Sequence, residues 1–316
     1  MITRLSLLIA AAAMLPTANA ASAEDQVLRI GYQKYGTLVF EKARGTLDAR
    51  LRPLGMRVSW TEFMSGPALF EAMGAGSLDF GLAGDTPPIF AQAGGVELAY
   101  VGVEPSSPHG EAIIVPKDSP VHGVADLKGK RVALNKGSNV HNLLVRVLAA
   151  NGMSIHDVRT VFLSPSDARP AYESGSVDAW VIWDPYLAAA QAAVPSRTIA
   201  DGIGRDGRTI DENRQFFIAS RAFATVHAGA VRAVLADMAD NEAYAAKHRD
   251  EMVGVLAPAM GMQPQAVKLV VDRTEFGVQP VTDSILAGQQ DIADTFAGLG
   301  LIPEKVIVGD MRWTPK

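Results

Sequence analysis

The chain has 316 residues, 48% hydrophobic and 20% charged, with a formal charge of −5 and no cysteine. That length and apolar content exclude a disordered chain, provide for a sizeable core and leave room for two lobes. The mildly acidic balance argues against a nucleic-acid partner, and the missing cysteine excludes disulfides, thiolate metal sites, cysteine nucleophiles and a lipid-modified N-terminal cysteine together.

The start, MITRLSLLIAAAAMLPTANAASAE, joins a basic residue (Arg4) to an apolar run from Leu5 to Leu15 and then to two small-x-small exits, Ala18-Asn19-Ala20 and Ala21-Ser22-Ala23. This is the pattern of a cleaved secretory signal over residues 1–23. The run is well short of the roughly 20 apolar residues a spanning helix needs, and no later stretch is long and apolar enough to span. The mature protein, one positive charge poorer, is expected to be free, soluble and periplasmic.

From Val27 onward, short β-rich runs alternate with amphipathic helical runs, which points to an α/β protein with mainly parallel strands. The readable strands are VLRIGY (27–32), MRVSWTEF (56–63), SLDFGLA (77–83), VELAYVGVE (96–104), EAIIVP (111–116), KRVALN (130–135), VRTVFL (158–163) and VDAWVIW (177–183). Two turn-rich pieces, PSSPHG (105–110) and DGIGRDGRTIDENRQ (201–215), bracket a compact α/β block. The simplest architecture inserts one lobe (111–215) into another (24–110 with 216–316), with two crossing segments as a hinge. After about Ala222 the chain reads as mostly helical, including a long run over 230–260 and another helix opened by GMQPQAV.

There is no strict repeat, yet GSLDFGLAGDTPPIF (76–90) and GSVDAWVIWDPYLAA (175–189) are alike: Gly-Ser-apolar-Asp, an apolar strand, Asp, Pro, then a helix. The likeness suggests equivalent strand-to-helix junctions in the two lobes, facing each other across a cleft. Open α/β sheets bind ligands at such carboxyl ends of strands.

Enzyme motifs are mostly missing: no G-x-x-x-x-G-K-[ST], H-E-x-x-H or G-x-S-x-G occurs, and no G-x-G-x-x-G follows one of the strands read above. The six histidines are scattered without ligand spacing, so neither a metal nor a cofactor is expected. Four places suit an anion instead. In RVALNKGSNVHNLL (131–144) a strand gives way to a helix through a polar loop, which aims free N–H groups and a helix dipole at one point. There the amides of Gly137, Ser138, Asn139 and Val140 and the Asn139 side chain are candidate donors, while Ser138 or Asn139 equally suits a plain N-cap.

In FMSGPALFEAM (63–73), Ser65-Gly66-Pro67 opens a second helix after a strand. In AGDTPPIFAQA (83–93), Gly84 lets a ligand approach the backbone, and Asp85, awkward for an anion, caps or accepts from a ligand hydroxyl or amine. In SPSDARPAYESGSVDAWVIWDPY (164–186), Arg169 is either a forked donor to an oxyanion or a solvated partner of Asp167 or Glu173. Trp180 and Trp183 cannot share a strand face; Trp183, next to the junction, is the better cleft wall. Gln33, ending the first strand, either donates to the ligand or ties its loop.

At these residues the chain resembles the periplasmic aliphatic sulfonate-binding proteins of ABC importers, within the group that includes taurine and nitrate receptors. The matching pieces are RIGYQK (29–34), SGPALFEAM (65–73), GSLDFGLAGDTPPIFAQA (76–93), YVGVEP (100–105), VADLKGKRVALNKGSNVHNLLVR (124–146) and SDARPAYESGSVDAWVIWDPYLAA (166–189). The resemblance implies a two-lobe, type II periplasmic binding protein with a ligand cleft at the hinge, closing on a sulfonate and then docking on a membrane permease. It implies a monomer, and no enzyme. Carried onto this sequence, it favours Gln33, Ser65, Gly66, Gly84, Asp85, Gly137, Ser138, Asn139, Val140, His141, Arg169 and Trp183 as ligand contacts. Alternatives are a receptor for another small anion such as taurine, nitrate or a sulfate ester, a chemosensory receptor partner, and, from the same fold, a pyrimidine-synthesising enzyme using pyridoxal phosphate. In that last case His141 is the histidine beside the site.

Overall fold

The computed structural model describes residues 26–315, so the expected signal at residues 1–23 lies outside the described residues. In chain order the strands are β1 (Gln26–Tyr32), β2 (Met56–Glu62), β3 (Phe80–Gly84), β4 (Leu98–Val103), β5 (Glu111–Pro116), β6 (Arg131–Leu134), β7 (Arg159–Phe162), β8 (Ala179–Trp183), β9 (Ser196–Asp201) and β10 (Gln215–Ser220). The helices are α1 (Leu38–Arg44), α2 (Leu47–Leu51), α3 (Gly66–Gly74), α4 (Thr86–Ala93), α5 (Asn139–Ala150), α6 (Pro165–Glu173), α7 (Tyr186–Ala193), α8 (Arg221–Val226), α9 (Ala228–Lys247), α10 (Arg249–Met260), α11 (Pro264–Arg273) and α12 (Asp283–Gly298).

The strands form two five-stranded sheets, ordered β2-β1-β3-β10-β4 and β7-β6-β8-β5-β9. One order serves both, and in each sheet the fourth strand alone runs against its neighbours: β10 is antiparallel to β3 and β4, β5 to β8 and β9. Each antiparallel strand is the first laid down after the chain crosses from the other sheet. This is a two-lobe α/β fold with mixed sheets.

All eight strands read from the sequence are present, and two more were not legible. β10 is buried at five of its six positions, so its QFFIAS shows a continuous apolar run without alternation. β9 is half-buried along most of its length and shows no pattern either. The long helix expected over 230–260 is two helices, because His248 between α9 and α10 leaves helical geometry (φ −129°, ψ 42°) and turns its ring onto the Tyr244 carbonyl at 2.8 Å.

The lower edges of the two sheets repeat one device. Arg29 of β1 binds Asp79 through its backbone N–H and its guanidinium (2.6–2.9 Å) and also donates to the Gly76 carbonyl. Arg131 of β6 binds Asp178 in the same way (2.8–3.2 Å) and donates to the Gly175 carbonyl. Gly76 (φ +74°) and Gly175 (φ +71°) take the left-handed turn that presents those carbonyls. The two Gly-Ser-apolar-Asp stretches therefore fix the start of each central parallel strand. Among the described residues, no helix is long and apolar enough to cross a membrane.

Candidate functional site

Because β1, β2 and β3 are parallel, as are β6, β7 and β8, the helices that follow them begin at one edge of each sheet. Those edges meet at a seam. A Cβ on Gly84, at the end of β3, would lie 2.8 Å from the Asn139 Cβ that opens α5. A Cβ on Gly66, opening α3, would lie 2.6 Å from Pro87 in the first turn of α4. Only glycine permits these approaches, so the starts of α3, α4 and α5 form one patch.

Uncapped starts occur elsewhere in this chain, but here they converge. α3 follows Ser65 and α5 follows Ser138, both extended, and neither serine caps through its side chain. The amides of Gly66, Ala68, Asn139 and Val140 and the Ser65 hydroxyl have no acceptor among the described residues. Two helix dipoles and a cluster of unspent donors thus point at one place, which is what a small anion needs. By contrast, α7 is already served: Asp184 accepts from Ala188 N–H at 3.0 Å. Beside the seam lies a cavity of about 400 Å³ lined by Pro67, Phe70, Pro87, Phe90, Lys136 and Gly137, among others.

The expected site residues divide. Ser65, Gly66, Gly84, Asn139 and Val140 lie at the seam. The Asn139 side chain is not a free donor: its amide nitrogen donates to Glu111 Oε2 and to Asn213 Oδ1. The Gly137 amide is not free either, since it donates to His141 Nδ1 at 3.3 Å, with Gly137 at φ +72° packed on the Phe90 ring. Ser138 donates its hydroxyl to the Asn135 carbonyl at 2.8 Å. Gln33 donates to the Leu82 carbonyl at 3.1 Å, the loop-tying alternative.

Arg169 sits on the exposed face of α6, 2.7 Å from Glu173 one turn on. That is its solvated-partner alternative, and the guanidinium is not brought to the seam. Trp180 packs on Tyr172 and Trp183 stands edge-on to Tyr186, both indoles fully buried. Asp85 is buried and accepts from the Thr86 hydroxyl at 2.7 Å; burial pushes its carboxyl up to about 6. His141 is buried among Phe90, Phe162 and Phe296. Burial, with Lys136 nearby, pulls its pKa down to about 4, so the ring is neutral near pH 7 and acts as a prop for the Gly137 turn.

Residues 55–252 match the model of the NMT1/THI5 like family. An Escherichia coli K12 protein named for aliphatic sulfonate binding is 39% identical over 300 residues, 94% of this chain and 92% of that one. The chain belongs to the NMT1/THI5-like family. Among solved structures of similar proteins, the alkanesulfonate-binding protein SsuA of Xanthomonas axonopodis pv. citri bound to MOPS superposes with a TM-score of 0.85 at 40% identity, covering 92% of this chain and 99% of that one. The periplasmic aliphatic sulphonate-binding protein SsuA of E. coli gives 0.81 at 39% identity, covering 92% and 93%. These family members are binding proteins, and this chain is likewise not an enzyme.

Sequence reasoning missed Glu111, Asn213, Asp211 and Tyr186. Glu111 carried a signal: a lone charge leading the buried run AIIV, where a fully buried carboxyl is rare unless it has a partner. Asn213 had none, because its φ of +43° and its bonds to Tyr35, Ser107 and Asn139 come from segments far apart in the chain.

Proposed function

We propose that this protein is a periplasmic receptor that captures aliphatic sulfonates and delivers them to an ABC import permease for sulfur acquisition. The observation that carries the reading is the convergence of the α3 and α5 starts, with the Ser65 hydroxyl and four amide donors unspent at one seam. A sulfonate remains a monoanion across the physiological range and offers three acceptor oxygens, so it suits several neutral donors better than one buried lysine. The names of the similar proteins and the MOPS, itself a sulfonate, bound to one of them support the same class.

In this reading, lobes 24–110 with 216–316 and 111–215 move about the crossing segments 105–110 and 201–215. The neutral cradle is split between them, so opening divides the donors and releases the anion. The cavity beside the seam accommodates an apolar tail, and the protein acts as a periplasmic monomer freed from its signal.

The test is calorimetry on the ligand-free mature protein with a straight-chain alkanesulfonate and the carboxylate of equal length. The sulfonate is expected to bind and the carboxylate to bind far more weakly. Ser65→Ala should weaken the sulfonate by about tenfold or more, given roughly 1.5–3 kcal/mol for a hydrogen bond to a charged group. Equal binding of both ligands, or of neither, overturns the reading.

A further inference from the structure

The anion cradle rests on a buried acidic network that an anion receptor has no evident use for. β5 is antiparallel, so its first residue, Glu111, pairs with Trp183 and lies at the seam edge with the carboxyl end of β8. Glu111 is fully buried. Its Oε2 accepts from the Asn139 side chain, whose backbone amide is one of the free donors. Its Oε1 is buried without any hydrogen-bond partner. An unpaired buried carboxylate oxygen beside an arriving sulfonate is unfavourable twice over, by desolvation and by like charge. A carboxylic acid there resolves both, because the hydrogen it carries becomes a donor.

We propose that Glu111, as a neutral acid, is a further ligand-binding residue: Oε2 holds Asn139 in place while the hydroxyl at Oε1 donates to a sulfonate oxygen. The proposal rests on the sulfonate reading above and deepens it. The surroundings support the protonated form. Asp211 and Asp85, both buried and both with carboxyls raised by that burial, line one cavity, and Asp201 adds a further carboxylate. Tyr35 lies between Glu111, Asp184 and Glu104 and is held neutral by burial. Arg146 pairs with Asp291 at 2.6 Å and favours the charged forms of Asp85 and Asp211, and no cation offsets the burial of Glu111 itself among the described residues. Burial first, and then Asp211 and Asp85, raise the Glu111 carboxyl well above the usual range.

The sign follows. The ligand does not titrate, and the bound state needs the proton, so affinity is greatest at low pH and falls as pH rises through the Glu111 pKa, by at most about tenfold per pH unit. The experiment is calorimetry with pentanesulfonate from about pH 6 to pH 9, for wild type and Glu111→Gln. Wild type should lose affinity toward pH 9 and take up a proton on binding there, read from two buffers of different ionisation enthalpy. Glu111→Gln, which keeps a donor and an acceptor in place, should still bind, a few-fold more weakly at pH 6, with the pH slope gone.

Binding at pH 6 with no slope in wild type overturns the proposal and leaves the receptor reading intact, as does the same slope persisting in Glu111→Gln. No binding at pH 6 overturns the receptor reading itself, and this proposal with it. Should Glu111→Gln fail to fold, the wild-type slope and proton count decide alone: both present support the proposal, and either absent overturns it.

Discussion

The two similar stretches, 76–90 and 175–189, are alike at one end and different at the other. At their starts, Asp79 and Asp178 each hold an arginine of the neighbouring strand, and each glycine carbonyl accepts from that same arginine. At their far ends, Gly84 stands where the second stretch has Trp183, and the two aspartates that follow do different work. Asp184 caps α7 and pairs with Arg273 of α11 at 3.2 Å, tying the second sheet's helix to the C-terminal part of the chain. The Asp85 carboxylate accepts from its neighbour's hydroxyl and pairs with no arginine, while its backbone carbonyl takes the Gln289 amide of α12 at 2.8 Å. The scaffold end of the motif is thus duplicated and the seam end specialised: one copy supplies a glycine for close approach, the other a buried wall and an ionic side-chain tether.

The sharpest way to break this comparison is to remove the aspartates. Asp184→Ala leaves Arg273, a group mostly out of solvent, without its carboxylate and the Ala188 amide without a cap. Losing one partner of such a pair costs about 3 kcal/mol, and urea unfolding at pH 7 should show a loss of that order. Asp85→Ala removes one neighbour hydrogen bond, so its cost should be within about 1 kcal/mol. Equal costs for the two variants would mean that the tether to Arg273 contributes nothing and that the far ends are energetically the same.

Next in size is Gly84→Ala. The new methyl would meet the Asn139 Cβ at 2.8 Å, and neither atom can swing aside because each is bonded directly to backbone. Overpacking of this kind costs about 1–3 kcal/mol. The clash lies between the two sheets' edges, so it is relieved by parting them, and the cost should appear in ligand affinity as a loss of about five- to a hundredfold, with little change in unfolding midpoint. A variant that loses stability but binds sulfonate normally would place Gly84 in the scaffold and not at the seam.

The pattern of what was legible in the sequence follows from range. The parallel strands, the junctions at Ser65, Gly84 and Ser138, and the Gly-Ser-apolar-Asp likeness were readable because strand periodicity, caps and turns are local. The roles of single donors were not. Asn139 and Gly137 looked free in the sequence, yet Glu111 sits 28 residues before Asn139, and His141 takes the Gly137 amide one turn into the helix. Arg169 was open between two roles, and the contact with Glu173, four residues on, was one of them. Burial decides which polar groups remain unspent, and burial is a property of the assembled sheets.

The smallest effect tests the duplicated end. Asp79 is nearly buried and Asp178 about a third exposed, with otherwise matching partners. Asp79→Asn keeps size and hydrogen-bonding shape but removes the charge that Arg29 pairs with, and should cost about 1 kcal/mol, the upper end for a pair with one partner still in solvent. Asp178→Asn should cost less, because the two arginines are about equally exposed and it is the Asp178 carboxylate that water already reaches. Both variants should bind sulfonate with unchanged affinity, since each clamp lies at the strand starts, away from the seam. A change in affinity in either would show that the clamps govern how the two sheets meet, and the division between scaffold end and specialised end would have to be redrawn.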